Sequence, residues 1–226
     1  TAFGGVLECK SVVVATGVYL NGTVIAGEWR QNSGPNGFQP ANSLTQNLID
    51  LGFTVRRFKT GTPARIDKKS VDFSELEVQN GETDVYPFPL LTEKVPEKQT
   101  PCYLTYTNES THEVIKENLH RSPLFSGTIK GTGPRYCPSI EDKVVRFADK
   151  DRHQLFLEPE TKDLSLTYIQ GFSTSMPEYV QDQMIKSLPG FDHAEIVKYA
   201  YAIEYDAIDP LELKSSLESK KVRGLY

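Results

Sequence analysis

Ser11-Val12-Val13-Val14-Ala15-Thr16-Gly17 is the stretch on which the reading of the fold turns. Its β-branched apolar residues do not alternate with polar ones, the pattern of a strand buried on both faces of a parallel sheet. A glycine ends the run at once. In open parallel sheets ligands bind beyond the carboxyl ends of the strands, and a glycine there admits close approach to the backbone. Ala15, Thr16 and Gly17 are therefore candidate cofactor-binding residues; an ordinary strand-to-loop glycine has the same spacing. Upstream, residues 6–9 read as the end of a strand that turns near Lys10-Ser11. Downstream, the loop 27–40 contains Asn32-Ser-Gly-Pro-Asn-Gly37, which is turn chemistry.

Leu44, Leu48 and Leu51 share one face of a predicted helix over 43–51, with Gly52 placed to end it. A strand over 53–58 follows, so the segment reads as βαβ-like. From 59 to 101, proline, charge and isolated aromatics predict irregular or antiparallel structure. Further strands are predicted over 102–107, 154–157 and 196–205. Helices are predicted behind three capping patterns: Ser110-Thr-His-Glu113, Ser139-Ile-Glu-Asp142 and Ser175-Met-Pro-Glu178. The expected fold is α/β. Residues 1–52 and 200–226 form parts of one parallel-sheet domain, and 53–199 form an inserted mixed α+β domain. A single α+β domain throughout is the alternative.

The 226 residues are 38% apolar and 24% charged, with a mean hydropathy of −0.41. That is a globular composition rather than a disordered one. No apolar run reaches the roughly 18 residues of a spanning helix, which excludes a helical membrane protein. A net charge of −5 argues against a wholly basic nucleic-acid module. Between 114 and 152, however, eight Lys and Arg stand against five Asp and Glu, a local +3. That suits either a solvated face or a phosphate-binding surface. Three cysteines form no disulfide framework and fit a reducing, cytoplasmic setting. Thr1 and the strand-like start at the other end, Lys221-Val-Arg-Gly-Leu-Tyr226, suggest a fragment of a larger protein.

Gly131-Thr-Gly-Pro-Arg-Tyr-Cys-Pro-Ser-Ile-Glu-Asp-Lys143 is the densest chemical constellation. A glycine-rich turn leads to Cys137 and then to a helix start, beside Arg135 and Lys143. Helix dipoles and cations lower a thiol's pKa, and the same amides suit a pyrophosphate. The segment can hold a reactive thiolate, a dinucleotide phosphate, or a buried cysteine at a loop–helix junction. Lys59-Thr-Gly-Thr-Pro63, with Arg65 and Asp67, reads either as a polar loop for an anion or ribose or as a surface turn. It is not a P-loop. Tyr199-Ala-Tyr-Ala-Ile-Glu-Tyr-Asp206 reads as a core strand or as a tyrosine wall for a flat ring. The histidines His112, His120, His153 and His193 are scattered and no Cys-x-x-Cys occurs, so no metal centre is expected.

Several segments, taken in order, carry a resemblance. They are Val13-Val-Ala-Thr-Gly17, Phe58-Lys-Thr-Gly-Thr-Pro-Ala-Arg-Ile-Asp67, Pro101-Cys-Tyr103, Thr107-Asn-Glu109 and Arg121-Ser-Pro123. Downstream come Gly133-Pro-Arg-Tyr-Cys-Pro-Ser-Ile-Glu-Asp-Lys143, Arg146-Phe-Ala-Asp149, Phe156-Leu-Glu-Pro159, Ser173-Thr-Ser175 and Ala202-Ile-Glu-Tyr-Asp206. The ordered set resembles the MnmG (GidA) family of flavin-dependent tRNA-modifying enzymes and covers nearly the whole chain. The resemblance implies a glutathione-reductase-like FAD-binding domain, incomplete here, with an inserted NAD-binding domain. It implies FAD and NADH as cofactors, a homodimer and a GTPase partner, MnmE. With that partner the family places a carboxymethylaminomethyl or aminomethyl group on the wobble uridine of tRNA. Methylene-tetrahydrofolate supplies the carbon, and glycine or ammonium the nitrogen.

Carried over by resemblance, the NAD-binding segment is Gly133, Pro134, Arg135, Tyr136, Cys137, Pro138, Ser139, Ile140, Glu141, Asp142, Lys143, Val144, Val145, Arg146 and Phe147. Cys137 is its catalytic residue, a nucleophile toward the uracil ring, which agrees with the local field. Ala15, Thr16 and Gly17 approach FAD. Ala41 stands where the family often has a flavin-proximal serine, with Ser43 two residues on; a backbone contact survives that change and a hydroxyl contact does not. The family's Gly-x-Gly-x-x-Gly fingerprint, its second catalytic cysteine, its C-terminal flavin segment and its tRNA-contacting helical domain are not in these residues. Neither Cys9 nor Cys102 replaces the missing cysteine, and the chain alone is expected to be inactive. Two other readings compete. One is a folate- and FAD-dependent tRNA uracil methyltransferase, against which residues 134–142 argue. The other is a non-catalytic nucleotide-binding or interaction module in which Cys137 only packs.

Overall fold

The computed structural model describes residues 4–88, 91–133, 138–161 and 163–226. Its strands, in chain order, are β1 (Thr23–Ala26), β2 (Trp29–Asn32), β3 (Val55–Thr62), β4 (Arg65–Asp67), β5 (Glu77–Gln79), β6 (Cys102–Tyr106), β7 (Gln154–Pro159), β8 (Leu166–Gln170), β9 (Ile196–Lys198) and β10 (Tyr201–Ile208). They form a four-stranded sheet in the order β2-β1-β10-β3 and a six-stranded sheet in the order β5-β6-β7-β8-β4-β9. Every ladder is antiparallel. With the helices this is a mixed α/β protein.

The six-stranded sheet carries the main core. Alternate inward residues Ile66, Leu155, Leu157 and Ile169 meet Ile115 of α2 (Glu109–Glu117), Ile140 and Val144 of α3 (Ile140–Arg146), and Val180, Met184 and Ile185 of α4 (Glu178–Lys186). Phe172 and Phe191 fill the space between. Each such side chain contributes about 1.5–3 kcal/mol by leaving water. A smaller core of Leu20, Leu48 and Phe53 lies under α1 (Asn42–Asp50), whose last turn closes at Gly52 with φ +86°. The helix over 43–51 is thus present, shifted by one residue.

Four local expectations fail, each for a physical reason. Residues 12–16 form no strand buried on both faces. They make a short parallel pairing with the other end of the chain: Val12 N donates to Gly224 O (2.8 Å), Tyr226 N to Val12 O (2.8 Å) and Val14 N to Tyr226 O (2.7 Å). Within these 226 residues Val13 is 71% exposed. Residues 6–9 likewise form no strand among the described residues. Second, no βαβ unit forms. The strand expected over 53–58 runs on to Thr62, through the segment read as a polar loop, and pairs antiparallel with β10 from Val55↔Ile208 to Thr62↔Tyr201. Third, the strand expected over 196–205 breaks between β9 and β10. Gln181 takes over the Ala200 backbone there, Nε2 donating to its carbonyl (3.0 Å) and Oε1 accepting from its amide (2.8 Å). This break and the 63–64 connection are where the chain passes between the two sheets.

Fourth, the capping residues differ. Asn108, not Ser110, caps α2, its Oδ1 accepting from Thr111 N at 2.9 Å. Asn108 wins because it also donates to Ser187 O at 2.6 Å, tying α2 to the end of α4. Pro177, not Ser175, precedes α4, and Ser139 precedes α3 without a side-chain cap bond.

A histidine pair joins β6 to the start of β7. Thr107 Oγ1 accepts from His153 N (2.8 Å) and shares a hydrogen bond with His112 Nε2 (2.8 Å), and the two rings lie 5.4 Å apart. Burial holds both imidazole pKa values below 6.5. Lys116 adds to this at His112, with Asp151 opposing; His112 and Lys143 add to it at His153. The folded state therefore binds fewer protons here than the unfolded chain. The stability this gives is complete above 6.5 and is lost as pH falls from there through the lowered values. The melting temperature should fall between pH 7 and pH 5 by more in the natural chain than in a His112→Gln, His153→Gln double variant. Equal acid sensitivity in the two would disprove the assignment.

Candidate functional site

The face of the four-stranded sheet beside α1 is organised by charge. Asp206, on β10, accepts from Arg57 Nη1 (2.9 Å), Asn21 Nδ2 (2.9 Å) and Thr45 Oγ1 (3.0 Å). Arg57 also donates to Asn21 O (2.8 Å) and Thr23 Oγ1 (3.1 Å). One register step further, Glu204 stands directly opposite Lys59 across the β10–β3 ladder. Both are buried. Directly opposed residues in a ladder share a face, so the register sets these two opposite charges side by side.

A cleft of about 290 Å³ opens next to Asp206 and is lined by Ala15, Thr16 and Gly17. Its inner wall is apolar, from Leu20, Leu48 and Phe53. Gly17 has φ +51° and open space where a Cβ would stand. Ala41 is joined to the same turn by backbone bonds, Ala41 N to Tyr19 O (2.9 Å) and Asn21 N to Ala41 O (3.1 Å). Its methyl packs on the small core rather than lining the cleft.

The glycine-rich segment lies at the other edge of the sheet. Lys59 N donates to Thr132 O (3.0 Å) and Thr132 N to Arg57 O (3.1 Å), which lays 130–132 along β3 as a parallel bridge. Glu204 Oε1 accepts from Lys130 N (2.7 Å) and Gly131 N (2.6 Å). A Cβ on Gly131 would stand 2.7 Å from Phe58 C and O, so glycine is required there. Pro134, Arg135, Tyr136 and Cys137 lie outside the described residues. Gly133 has open space around it.

Beyond them, α3 presents two faces. Ile140 and Val144 belong to the main core, Asp142 is held by Arg146 at 2.9 Å, and Lys143 Nζ donates to Gly171 O at 2.8 Å. Val145, Arg146 and Phe147 face outward, and Pro138 is half-buried. Glu141 is completely buried, with Ser122 Oγ donating to its Oε1 at 3.3 Å. Burial pushes its pKa up, and the Lys59 ammonium opposes that rise. Among the described residues, Glu141 Oε2, Ser139 Oγ and Ser175 Oγ have no hydrogen-bond partner. Three buried polar atoms near one helix start are thus left without a partner.

The second sequence candidate does not form an open anion site. Lys59 is buried in β3, and Arg65 is engaged by Glu160, Thr62 Oγ1 and Pro63 O. Cys102 lies in β6, and burial, then Glu158, pushes its thiol pKa up. Among the described residues no three His, Cys, Asp or Glu converge on a metal position, and no helix is long and apolar enough to cross a membrane. The Glu204–Lys59 and Asp206–Arg57 pairs were not singled out from sequence. Their signal was the carboxylates at i and i+2 in β10 facing cations at i and i+2 in β3, visible only once those strands are known to pair.

The comparisons with known proteins converge. All of residues 1–226 match the family described as Glucose inhibited division protein A. The tRNA uridine 5-carboxymethylaminomethyl modification enzyme MnmG of Lachnoclostridium phytofermentans is 57% identical over 225 residues, 99% of this chain and 36% of its own length. That of Clostridium botulinum is 54% identical over 226 residues, 100% of this chain and 36% of its own. Aquifex aeolicus GidA superimposes with a TM-score of 0.87 at 48% identity in its form I crystal and 0.86 at 45% in form II. Each match covers 96% of this chain and 37% or 35% of the other. The chain spans about 36% of the length of the curated relatives it matches. An identity of this level along the whole chain, on a shared fold, settles that the chain belongs to the glucose inhibited division protein A (GidA) family.

Proposed function

We propose that this chain is the central part of a flavin-dependent enzyme that, with the GTPase MnmE, adds a carboxymethylaminomethyl group to the wobble uridine of tRNA in the cytoplasm, as a homodimer. The observation that carries the reading is the match of all 226 residues to one family, whose curated members at 52–57% identity are named tRNA uridine 5-carboxymethylaminomethyl modification enzyme MnmG. In this reading residues 1–52 and 200–226 belong to the FAD-binding part and 53–199 to the NAD-binding insert, with β3 extending from the insert into the sheet of the FAD part.

The residues present fit part of a flavin nucleotide. Gly17 leaves open backbone at the mouth of an apolar cleft, and Ala15 and Thr16 flank it. Asp206 walls the cleft while its carboxylate accepts from Arg57, Asn21 and Thr45, so its charge is compensated from within the chain. When bound, FAD supplies two-electron redox chemistry and NADH the hydride that reduces it. For NADH, Gly133 offers open backbone and Val145, Arg146 and Phe147 an exposed edge of α3, whereas Ile140 and Val144 are core. Cys137 acts as the nucleophile on the uracil ring, for which the thiolate is the competent form. The carbon comes from methylene-tetrahydrofolate and the nitrogen from glycine or ammonium.

NADH titration of the full-length, FAD-loaded protein tests the cofactor assignment. Saturable binding is expected within about the 1 μM–1 mM range of ordinary substrate constants, with an Arg146→Ala, Phe147→Ala double variant binding more weakly. Absence of saturation, or unchanged affinity in that variant, would remove NADH from this segment.

A further inference from the structure

We propose that Glu204 is the positioning residue of the glycine-rich segment: its carboxylate clamps the Lys130 and Gly131 amides at the edge of β3 and fixes where the dinucleotide-binding segment begins. The proposal rests on the assignment of residues 133–147 to NADH. One oxygen, Oε1, accepts both amides, at 2.7 and 2.6 Å, and Glu204 is 2% exposed. Hydrogen bonds to an ionised acceptor are about twice as strong as neutral ones. The carboxylate can remain there because Lys59 stands opposite it in the ladder and Arg30 Nη2 lies 3.7 Å from Oε2. It sits on β10, flanked on one side by β1 and on the other by β3, so its backbone is paired on both edges.

The loop has no freedom to settle elsewhere. Thr132 bridges the β3 backbone in both directions, and Gly131 packs so closely on Phe58 that any side chain would clash. The Glu204 clamp therefore sets the height at which Gly133 leaves the sheet. It also decides what the segment does not do. Two adjacent amides converging on one point are the arrangement a phosphate oxygen would take. Here Glu204 already fills it, so the dinucleotide's phosphates are excluded from Lys130 and Gly131 and must be met further along.

The test compares Glu204→Ala and Glu204→Gln with the natural residue in the full-length, FAD-loaded protein. Amide hydrogen exchange across 130–132 and NADH binding are read together, with KM and kcat followed for NADH oxidation. In Glu204→Ala, exchange across 130–132 should rise and the NADH KM increase by about tenfold, with kcat changed little. Glu204→Gln keeps an acceptor oxygen and should recover part of both. A merely structural glutamate would lower the melting temperature without splitting KM from kcat. Unchanged NADH affinity in both variants overturns the proposal, as does unchanged exchange. If Glu204→Ala does not fold, Glu204→Gln decides by the same readouts. If the natural protein binds no NADH, the cofactor assignment fails, and exchange alone decides whether the clamp exists.

Discussion

Cys137→Ser in the full-length protein is expected to reduce carboxymethylaminomethyl-uridine formation by about three orders of magnitude or more, the scale seen when a covalent nucleophile is removed. NADH binding should change little. A cysteine thiol of ordinary pKa is ionised to a few per cent near neutral pH, whereas a serine hydroxyl has no comparable anion without an adjacent base. The same argument separates the three cysteines. Cys102 is held in β6, where burial and the Glu158 charge disfavour its thiolate. Cys9 is exposed in a segment without regular structure. Cys102→Ser and Cys9→Ser should therefore leave modification within about twofold of the natural rate, the scatter of surface changes near ±0.5 kcal/mol. Mass spectrometry of nucleosides from tRNA incubated with MnmE, FAD, NADH and the folate donor reads all three variants. Substantial activity in Cys137→Ser would remove the cysteine from catalysis and leave it a packing residue.

What the sequence revealed depended on the range of the interaction. Strands β6 and β7 and helix α1 were legible because period and end signals are local: Leu44 and Leu48 share a face whatever the rest of the chain does. The pairing of β3 with β10 was not. Alternation assigns faces but not partners, and all six strands of the other sheet lie between Val55 and Ile208 in the sequence. The valines at 12–14 misled for a related reason. Their composition reports a strand that expects cover on both faces, while the described structure gives Val12 and Val14 one backbone partner each at the far end of the chain. Caps failed by two residues where a distant carbonyl, Ser187 O, chose Asn108 over Ser110. In the candidate site, the glycine-rich turn was recognised from its residues. Its anchor was not, since Glu204 is 73 positions from Gly131 and reads in isolation as one more residue of a core strand. Lys59 shows the same limit. A lysine in a polar loop suggests an anion, yet its place is a buried strand position, with Glu204 opposite it across the ladder.

Asp206→Ala is expected to cost about 3–4 kcal/mol of stability, within the range for breaking a buried pair by removing one partner. The carboxylate joins four parts of the chain: its own strand β10, Arg57 on β3, Asn21 before β1, and Thr45 on α1. Removal leaves Arg57, one-quarter exposed, with only the neutral acceptors Asn21 O and Thr23 Oγ1. Asn21 and Thr45 lose their acceptor as well, and unsatisfied polar groups cost about 1–3 kcal/mol each when water cannot reach them. Partial solvent access at Arg57 keeps the total below the sum. Asp206→Asn preserves shape and one acceptor oxygen and should cost about half as much. An Arg57→Met, Asp206→Ala double variant should be more stable than Asp206→Ala alone, because no half-buried cation is then left without a countercharge. Urea unfolding at neutral pH measures all three. A cost below about 1 kcal/mol for Asp206→Ala, the level of an exposed ion pair, would show that the network is solvated. In that case the cleft beside Gly17, which Asp206 walls, would lack the rigid floor that a bound flavin requires.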